Sequence, residues 1–411
     1  MDPFIIVNIS QLIAVTADHG NPLRGIKQNE LNVIPYGCVV VDNGKIKDFG
    51  QEKDIRQKYS SYPCLDSHGS IVMPAFVDPH THLVFAGSRE EEFLCRLRGE
   101  SYLNTLGKGF GIFSTVASTK EATEDDLYQT ALERVRLIQK QGTVGLEIKS
   151  GYGLEFSVER KILKVATRLK NDLDIPICRT FLAAHALPKE FETRREDYID
   201  LICNEMIPSV VDEKLADCID VFCEQGVFTP GESLRILSKG KEVGLKPKIH
   251  VDEFASIGGL KIATDLGVMS ADHLIKSKKM ELIEFGKKNG IAVVLPGTSF
   301  AMNGEDLSYP RKIVDLNIPL AIGTDFNPGT CMCCSMQTMM ELSVLKQGLT
   351  IEEAINASTI NAAFACGLDQ VTGSIEIGKR ADLAFFSVNH YKKLPYIWGI
   401  NKLSHLLIAG K

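Results

Sequence analysis

The sequence predicts an α/β protein: a (β/α)8 TIM-like barrel with a small discontinuous β-sandwich domain formed by the N- and C-terminal segments. Three observations predict it. Between residues 71 and 371 short apolar runs alternate with longer helical patterns, the mark of βα units on a parallel sheet. Residues 1–70 and 372–411 have instead the texture of short strands and turns. Several His, Asp and Glu residues follow the apolar runs, where a barrel would gather the ends of its strands.

In chain order, the opening reads as strands at Phe4–Asn8, Leu12–Val15 and Cys38–Phe49. Asp42-Asn43-Gly44-Lys45 is a hairpin turn between two alternating runs. Ile71-Val-Met-Pro-Ala-Phe-Val-Asp-Pro-His-Thr-His82 is an apolar run read as the first barrel strand, counted from Val72. Seven further strand candidates follow: Thr143–Lys149, Ile177–Leu182, Ile219–Cys223, Lys248–Val251, Val268–Asp272, Ala292–Pro296 and Pro319–Thr324. Helices are predicted from Thr123, as cap with acids in the first turn, through Gln139, over Phe156–Leu169, and as one element over Ile351–Cys366. The tail returns to strands at Gly373–Phe386 and His405–Lys411. A lone strand pair is marginal, so this tail most economically completes the N-terminal β element.

Composition narrows the function. With 411 residues, 44% hydrophobic and 24% charged, the chain can bury a large core. A net charge of −6, spread without long runs, argues against a nucleic-acid or acidic-membrane binder and for a small-molecule partner. No apolar run reaches the roughly 18 residues of a membrane span, and Met1-Asp-Pro-Phe-Ile-Ile lacks signal-peptide features, so the cytoplasm is expected. Eleven scattered cysteines suit reduced thiols better than a disulfide framework.

His80 and His82 alternate on extended chain, so both rings can face one ion while Thr81 faces away. His185, His250 with Glu253, His273 and Asp325 fall at the ends of strand candidates, and a barrel would make them neighbours. Two imidazoles on one strand, a third imidazole and a carboxylate make a nitrogen and oxygen site for zinc or another divalent transition metal. Such a metal turns water into a nucleophile near neutral pH and polarises a carbonyl. His273 and Glu253 then read as proton carriers.

These residues resemble the amidohydrolase superfamily, and more finely the imidazolonepropionase family of histidine degradation. The likeness rests on Asp78-Pro-His-Thr-His-Leu-Val-Phe-Ala-Gly-Ser-Arg-Glu90, Lys149-Ser-Gly-Tyr-Gly-Leu154, Ala184-His185-Ala186, Val221-Phe-Cys-Glu-Gln-Gly-Val-Phe228, Gly323-Thr-Asp-Phe-Asn-Pro-Gly-Thr330 and Thr359-Ile-Asn-Ala-Ala363. It implies hydrolytic opening of 4-imidazolone-5-propanoate to N-formimidoyl-L-glutamate on one zinc or iron ion per subunit. It implies His80, His82, His250 and Asp325 as metal ligands. Arg89, Tyr152, His185, Glu253, Asn327, Gly329 and Thr330 would line the substrate pocket.

The chemistry of these side chains agrees with that implication. Arg89 can take the substrate carboxylate with two parallel hydrogen bonds. Tyr152 stands on a glycine-flanked loop where its hydroxyl can reach a ligand, and Asn327-Pro-Gly-Thr330 offers an amide and backbone groups on a turn. The expected proton path runs from the attacking water to Asp325 and His273, with Glu253 protonating the departing ring nitrogen. Lys149 raises a competing two-metal reading, as a carboxylated bridging lysine; the resemblance favours one ion and a supporting Lys149. Cys331-Met-Cys-Cys334 reads as packed, reduced thiols. Gly107-Lys-Gly-Phe-Gly-Ile-Phe-Ser-Thr115 reads as a flap over the substrate, departing from the family's glycine triplet at Phe110. Two other functions fit the same residues: a related deaminase or cyclic-amide hydrolase, and an inactive barrel kept as a scaffold. A homodimer is expected.

Overall fold

The computed structural model describes residues 2–99, 111–302 and 307–411. Its centre is an eight-stranded parallel sheet: β1 (Phe76–Asp78), β2 (Thr143–Lys149), β3 (Ile177–Ala184), β4 (Cys218–Cys223), β5 (Lys246–Val251), β6 (Ser270–His273), β7 (Ile291–Val294) and β8 (Leu320–Ile322). Successive strands pair in order. Just beyond their ends β1 and β8 are joined as well, His82 N–H donating to Phe326 O (3.0 Å) and Asp325 N–H to His80 O (2.9 Å). The sheet thereby approaches a closed barrel, and closure brings the residues after β1 and after β8 side by side.

Helices between the strands cover the outside. Thr123 forms a capping box with Asp126 at the head of Glu124–Gln139, as its sequence predicts. Phe156–Leu173 buries Val158, Ile162, Leu163, Val165, Ala166 and Leu169 on one face, the 3.6-residue pattern that made it legible. The helix expected over Ile351–Cys366 is two helices, Ile351–Ala357 and Ile360–Cys366, broken at Ser358 and Thr359. The Ser358 carbonyl accepts from the N–H of Val77 on β1, and Thr359 adopts φ −127°, ψ −94°. Just past the break, the Asn361 amide bonds Leu23 O and Leu320 O (3.0 Å each), lashing the N-terminal segment to β8.

The chain ends form two facing sheets. One orders Lys45–Gln51, Gly37–Asp42, Phe4–Val7 and Cys64–Asp66; the other orders Leu403–Leu407, Leu383–Phe386, Ile71–Pro74, Gln11–Ile13 and Val33–Pro35. Ile6, Leu12, Val39, Val41, Val72, Leu383 and Phe385 fill the space between them, which makes this a β-sandwich. Asn43 and Gly44 take φ of 50° and 75°, the left-handed pair that a two-residue hairpin demands.

One sequence expectation needs correction here. Ile71–Pro74 belongs to the sandwich, paired with Leu383–Phe386, and the barrel begins at Phe76. The continuous apolar run hid the change, because Val72 and Val77 are equally buried in different cores. No helix among the described residues is long and apolar enough to cross a membrane. Phe110 and residues 107–109 of the glycine-rich run lie outside the described residues.

Candidate active site

Beyond β1 the chain stays extended. Thr81 turns its hydroxyl to Glu147 O (2.6 Å), while the rings of His80 and His82 lie 5.3 Å apart on the other side. His250, on β5, joins them: one nitrogen from each of the three rings lies within 4.8 Å of the others. Asp325, after β8, brings Oδ1 to 3.5 Å from His80 Nε2 and 3.6 Å from His82 Nε2. These gaps are too long for hydrogen bonds and match the edge of a tetrahedron whose corners stand about 2.0–2.2 Å from a central ion. His80 Nε2 and His250 Nε2 are buried with no hydrogen-bond partner among the described residues. Burial first, then neighbouring imidazoles and the Lys149 ammonium, keep His80 and His82 far below the ordinary imidazole pKa, so their lone pairs are free. The donor set therefore fits a divalent metal.

Beneath these rings lies a buried ionic floor. Asp272 Oδ2 holds His80 Nδ1 at 2.7 Å, and Asp220 Oδ2 stands 3.0 Å from His250 Nδ1. The Asp272 hydrogen bond fixes the His80 tautomer and leaves its Nε2 as the donor to a metal, while Asp220 faces His250 Nδ1 without an aligned hydrogen bond. Lys149 Nζ touches both, at 2.6 Å from Asp220 and 3.2 Å from Asp272, and reaches Glu147 at 3.1 Å. Lys248 Nζ completes the floor at 2.5 Å from Glu147. Burial opposes the charge on Lys149, but Asp220, Glu147 and Asp272 outweigh it and hold the amine well above its ordinary pKa. Clasped by three carboxylates, Lys149 braces the histidines through Asp220 and Asp272.

The other candidates line one cavity of about 450 Å³ above the histidines. His185 stacks on His82 at 5.0 Å and 9°, its Nδ1 3.0 Å from Gly151 O. Burial lowers its pKa to about 3, so it is neutral. Gly151 has φ +108°, and a Cβ there would lie 2.8 Å from His185 Nδ1, so only glycine fits. The Tyr152 ring packs 5.6 Å from His82. His273 ends β6, with Nε2 3.7 Å from Glu253 Oε2, and burial keeps it neutral too. Burial, with the charges of Asp325 and Glu224, pushes the Glu253 carboxyl well above the usual range. Burial also raises Asp325, to about 6 against the Thr298 hydroxyl that donates to its Oδ2 (2.6 Å).

Asn327 lines this cavity too. Its amide is used within its own turn, donating to Asp325 O (2.6 Å) and Thr330 Oγ1 (2.8 Å) and accepting from the N–H groups of Gly329 and Thr330 (2.8 Å each). Together these bonds make an Asx-type turn. Cys331 is buried and Cys333 and Cys334 half-buried, all as free thiols. A larger cavity of about 1080 Å³ lies across Arg89 and Gly329, and no histidine lines it.

Sequence reading missed the floor residues Glu147, Asp220, Lys248 and Asp272, and Glu224, which accepts from Phe254 N–H (2.9 Å) and Ala255 N–H (3.0 Å) to fix the Glu253 loop. A signal existed. Glu147/Lys149 and Lys248/His250 are charged or polar residues two apart inside otherwise apolar strands, hence on one inward face. His273 and Asp325 hold φ of 76° and 51°, left-handed values costly for such residues and invisible in sequence.

Residues 248–411 match the model of the amidohydrolase family. Over nearly the whole chain, the protein is 44% identical to an imidazolonepropionase of Clostridium tetani, covering 99% of this chain and 97% of that one. It is 40% identical to an imidazolonepropionase of Geobacillus thermodenitrificans, covering 100% and 98%. The fold matches an adenosine deaminase from Xanthomonas campestris with bound zinc, at TM-score 0.71, 15% identity and coverage of 99% and 92%. It also matches the guanine deaminase from C. acetobutylicum, at TM-score 0.72, 15% identity and coverage of 100% and 99%. The deaminases share the architecture, whereas whole-chain sequence similarity joins the protein to the imidazolonepropionases.

Proposed function

This chain belongs to the imidazolonepropionase family of amidohydrolases, and from that premise we propose that it hydrolyses 4-imidazolone-5-propanoate to N-formimidoyl-L-glutamate. The observation that carries the reading is the convergence of three imidazoles and Asp325 at the floor of a cavity that Arg89 also lines. His80, His82, His250 and Asp325 would hold one zinc or iron ion. When bound, that ion supplies a Lewis acid that acidifies water and polarises the ring carbonyl.

The protein's own groups do the rest. Arg89 binds the propanoate carboxylate, and Tyr152, His185 and the Asn327–Thr330 turn enclose the ring. Water adds to the ring carbonyl carbon as it loses one proton to Asp325 and His273, which matches the one that Glu253 delivers. The bond from that carbon to the ring nitrogen breaks, and Glu253 protonates the nitrogen as it leaves. The raised pKa of Glu253 supports this, because burial beside Asp325 and Glu224 favours the protonated carboxyl that a proton donor needs.

The first test is metal analysis coupled to an assay of imidazolone propionate disappearance, with chelated and metal-restored samples in parallel. About one equivalent of zinc or iron, with turnover lost on chelation and restored by metal, is the expected result. Metal without turnover would move the substrate to another ring, and neither would revive the scaffold. A second prediction concerns Arg89→Ala: KM rises about 10-fold or more while kcat falls less, since a charged hydrogen-bonded contact of about 1.5–3 kcal/mol is lost. An unchanged KM would remove Arg89 from the site. We further propose a cytoplasmic enzyme, its eleven thiols suiting a reducing compartment. A homodimer is proposed as well, supported by exposed Tyr396, Trp398 and Met332, and light scattering decides it.

A further inference from the structure

Arg89 stands at the N-cap position of the helix Glu90–Leu97 and grips Glu92 one turn on, with Nε 2.8 Å from Oε2 and Nη2 2.6 Å from Oε1. The Oε2 atom also accepts the N–H of Gly111 (2.8 Å). Both side chains are nearly buried, at 12% and 13% exposure. Arg89 lines the 450 Å³ cavity and Glu92 does not, so Glu92 approaches the guanidinium from behind. Nη1 makes no hydrogen bond to any described residue and lies against Gly329, where a Cβ would come within 2.5 Å of it. A guanidinium has two usable edges. One is filled by Glu92, and the Nη1/Nη2 end remains for a second carboxylate. Arg195, the other arginine that lines the cavity among the described residues, is already paired to Glu232 through Nε (2.5 Å) and Nη2 (2.9 Å).

We propose that Glu92 is a positioning and specificity-determining residue: it fixes the plane of Arg89 so that the free end of the guanidinium receives the substrate's side-chain carboxylate. This rests on Arg89 binding that carboxylate. An arginine with no partner behind it would spread over several rotamers, and selectivity for an acidic substrate would fall even with the charge still present. The glycine at 329 is part of the same device, because it lets the guanidinium lie flat against backbone.

The test compares kcat/KM for imidazolone propionate with that for 5-ethyl-4-imidazolone, in which hydrogen replaces the carboxylate. The ratio of the two is independent of the fraction of enzyme folded. Glu92→Gln is expected to lower this ratio about 10-fold, the loss appearing in KM for the acidic substrate. An equal fall for both compounds would make Glu92 merely structural, and a rise for the acidic substrate would make it a competing anion; either overturns the proposal. Arg89→Ala separates the two levels. If it leaves the ratio intact, the carboxylate reading of Arg89 fails and takes this inference with it; if it collapses the ratio while Glu92→Gln does not, only the role of Glu92 falls.

Discussion

Replacing Glu253 by Gln is expected to lower kcat by about 10²–10⁴-fold, the usual contribution of a general acid or base, with metal content unchanged. The amide is nearly isosteric, and the backbone that presents it is tied by Phe254 and Ala255 to Glu224, so the loop should keep its shape. What disappears is a transferable proton. In the native protein burial and the charges of Asp325 and Glu224 hold that proton on Glu253 above the usual carboxylate range. Activity should therefore decline on the alkaline side as Glu253 ionises, and this limb should be missing from the pH profile of the Gln variant. His273, 3.7 Å from Glu253, is the partner in the path. If Glu253→Gln and His273→Ala both keep near-normal turnover with metal retained, the proposed proton path is wrong.

The second large effect is on stability. Lys149→Met should destabilise the protein by about 3–5 kcal/mol, the cost of breaking a buried ion pair by removing one partner. Methionine fills most of the volume, so the loss is electrostatic. Glu147, Asp220 and Asp272 would share the single ammonium of Lys248, in a site where all five groups are fully buried. A divalent ion above the floor would offset part of that excess negative charge. Thermal unfolding with and without metal should consequently show a wider gap in the variant than in the native protein. An equal gap would mean that the floor and the metal do not communicate.

Much of this was legible because barrel strands are short, apolar and bounded, and because His80 and His82 sit two apart on extended chain. The histidines, Asp325, Glu253 and Arg89 were readable as single residues in motifs, and the structure brings them to one cavity. What escaped depends on partners distant in sequence. Nothing local tells Ile71–Pro74 to pair with Leu383–Phe386 instead of entering the barrel. The break at Ser358 comes from a carbonyl taken by Val77, and the fate of the Asn327 amide from a turn that closes on itself. Asp220 and Asp272 lie within strands, where a lone carboxylate in an apolar run gives no local sign of the distant amine and imidazoles it meets.

The pairing of Ile71–Pro74 with Leu383–Phe386 also sets an order of events at the ribosome. The register partners Pro74 and Leu383 are more than 300 residues apart, and only Ala75 separates that strand from β1. At about 5–20 residues per second, synthesis of the intervening chain takes on the order of tens of seconds. Throughout that time Ile71–Pro74 has an open edge, immediately before β1 and the two histidines that follow it. A chaperone that shields extended apolar segments should engage this stretch during translation and release it once residues 383–386 emerge.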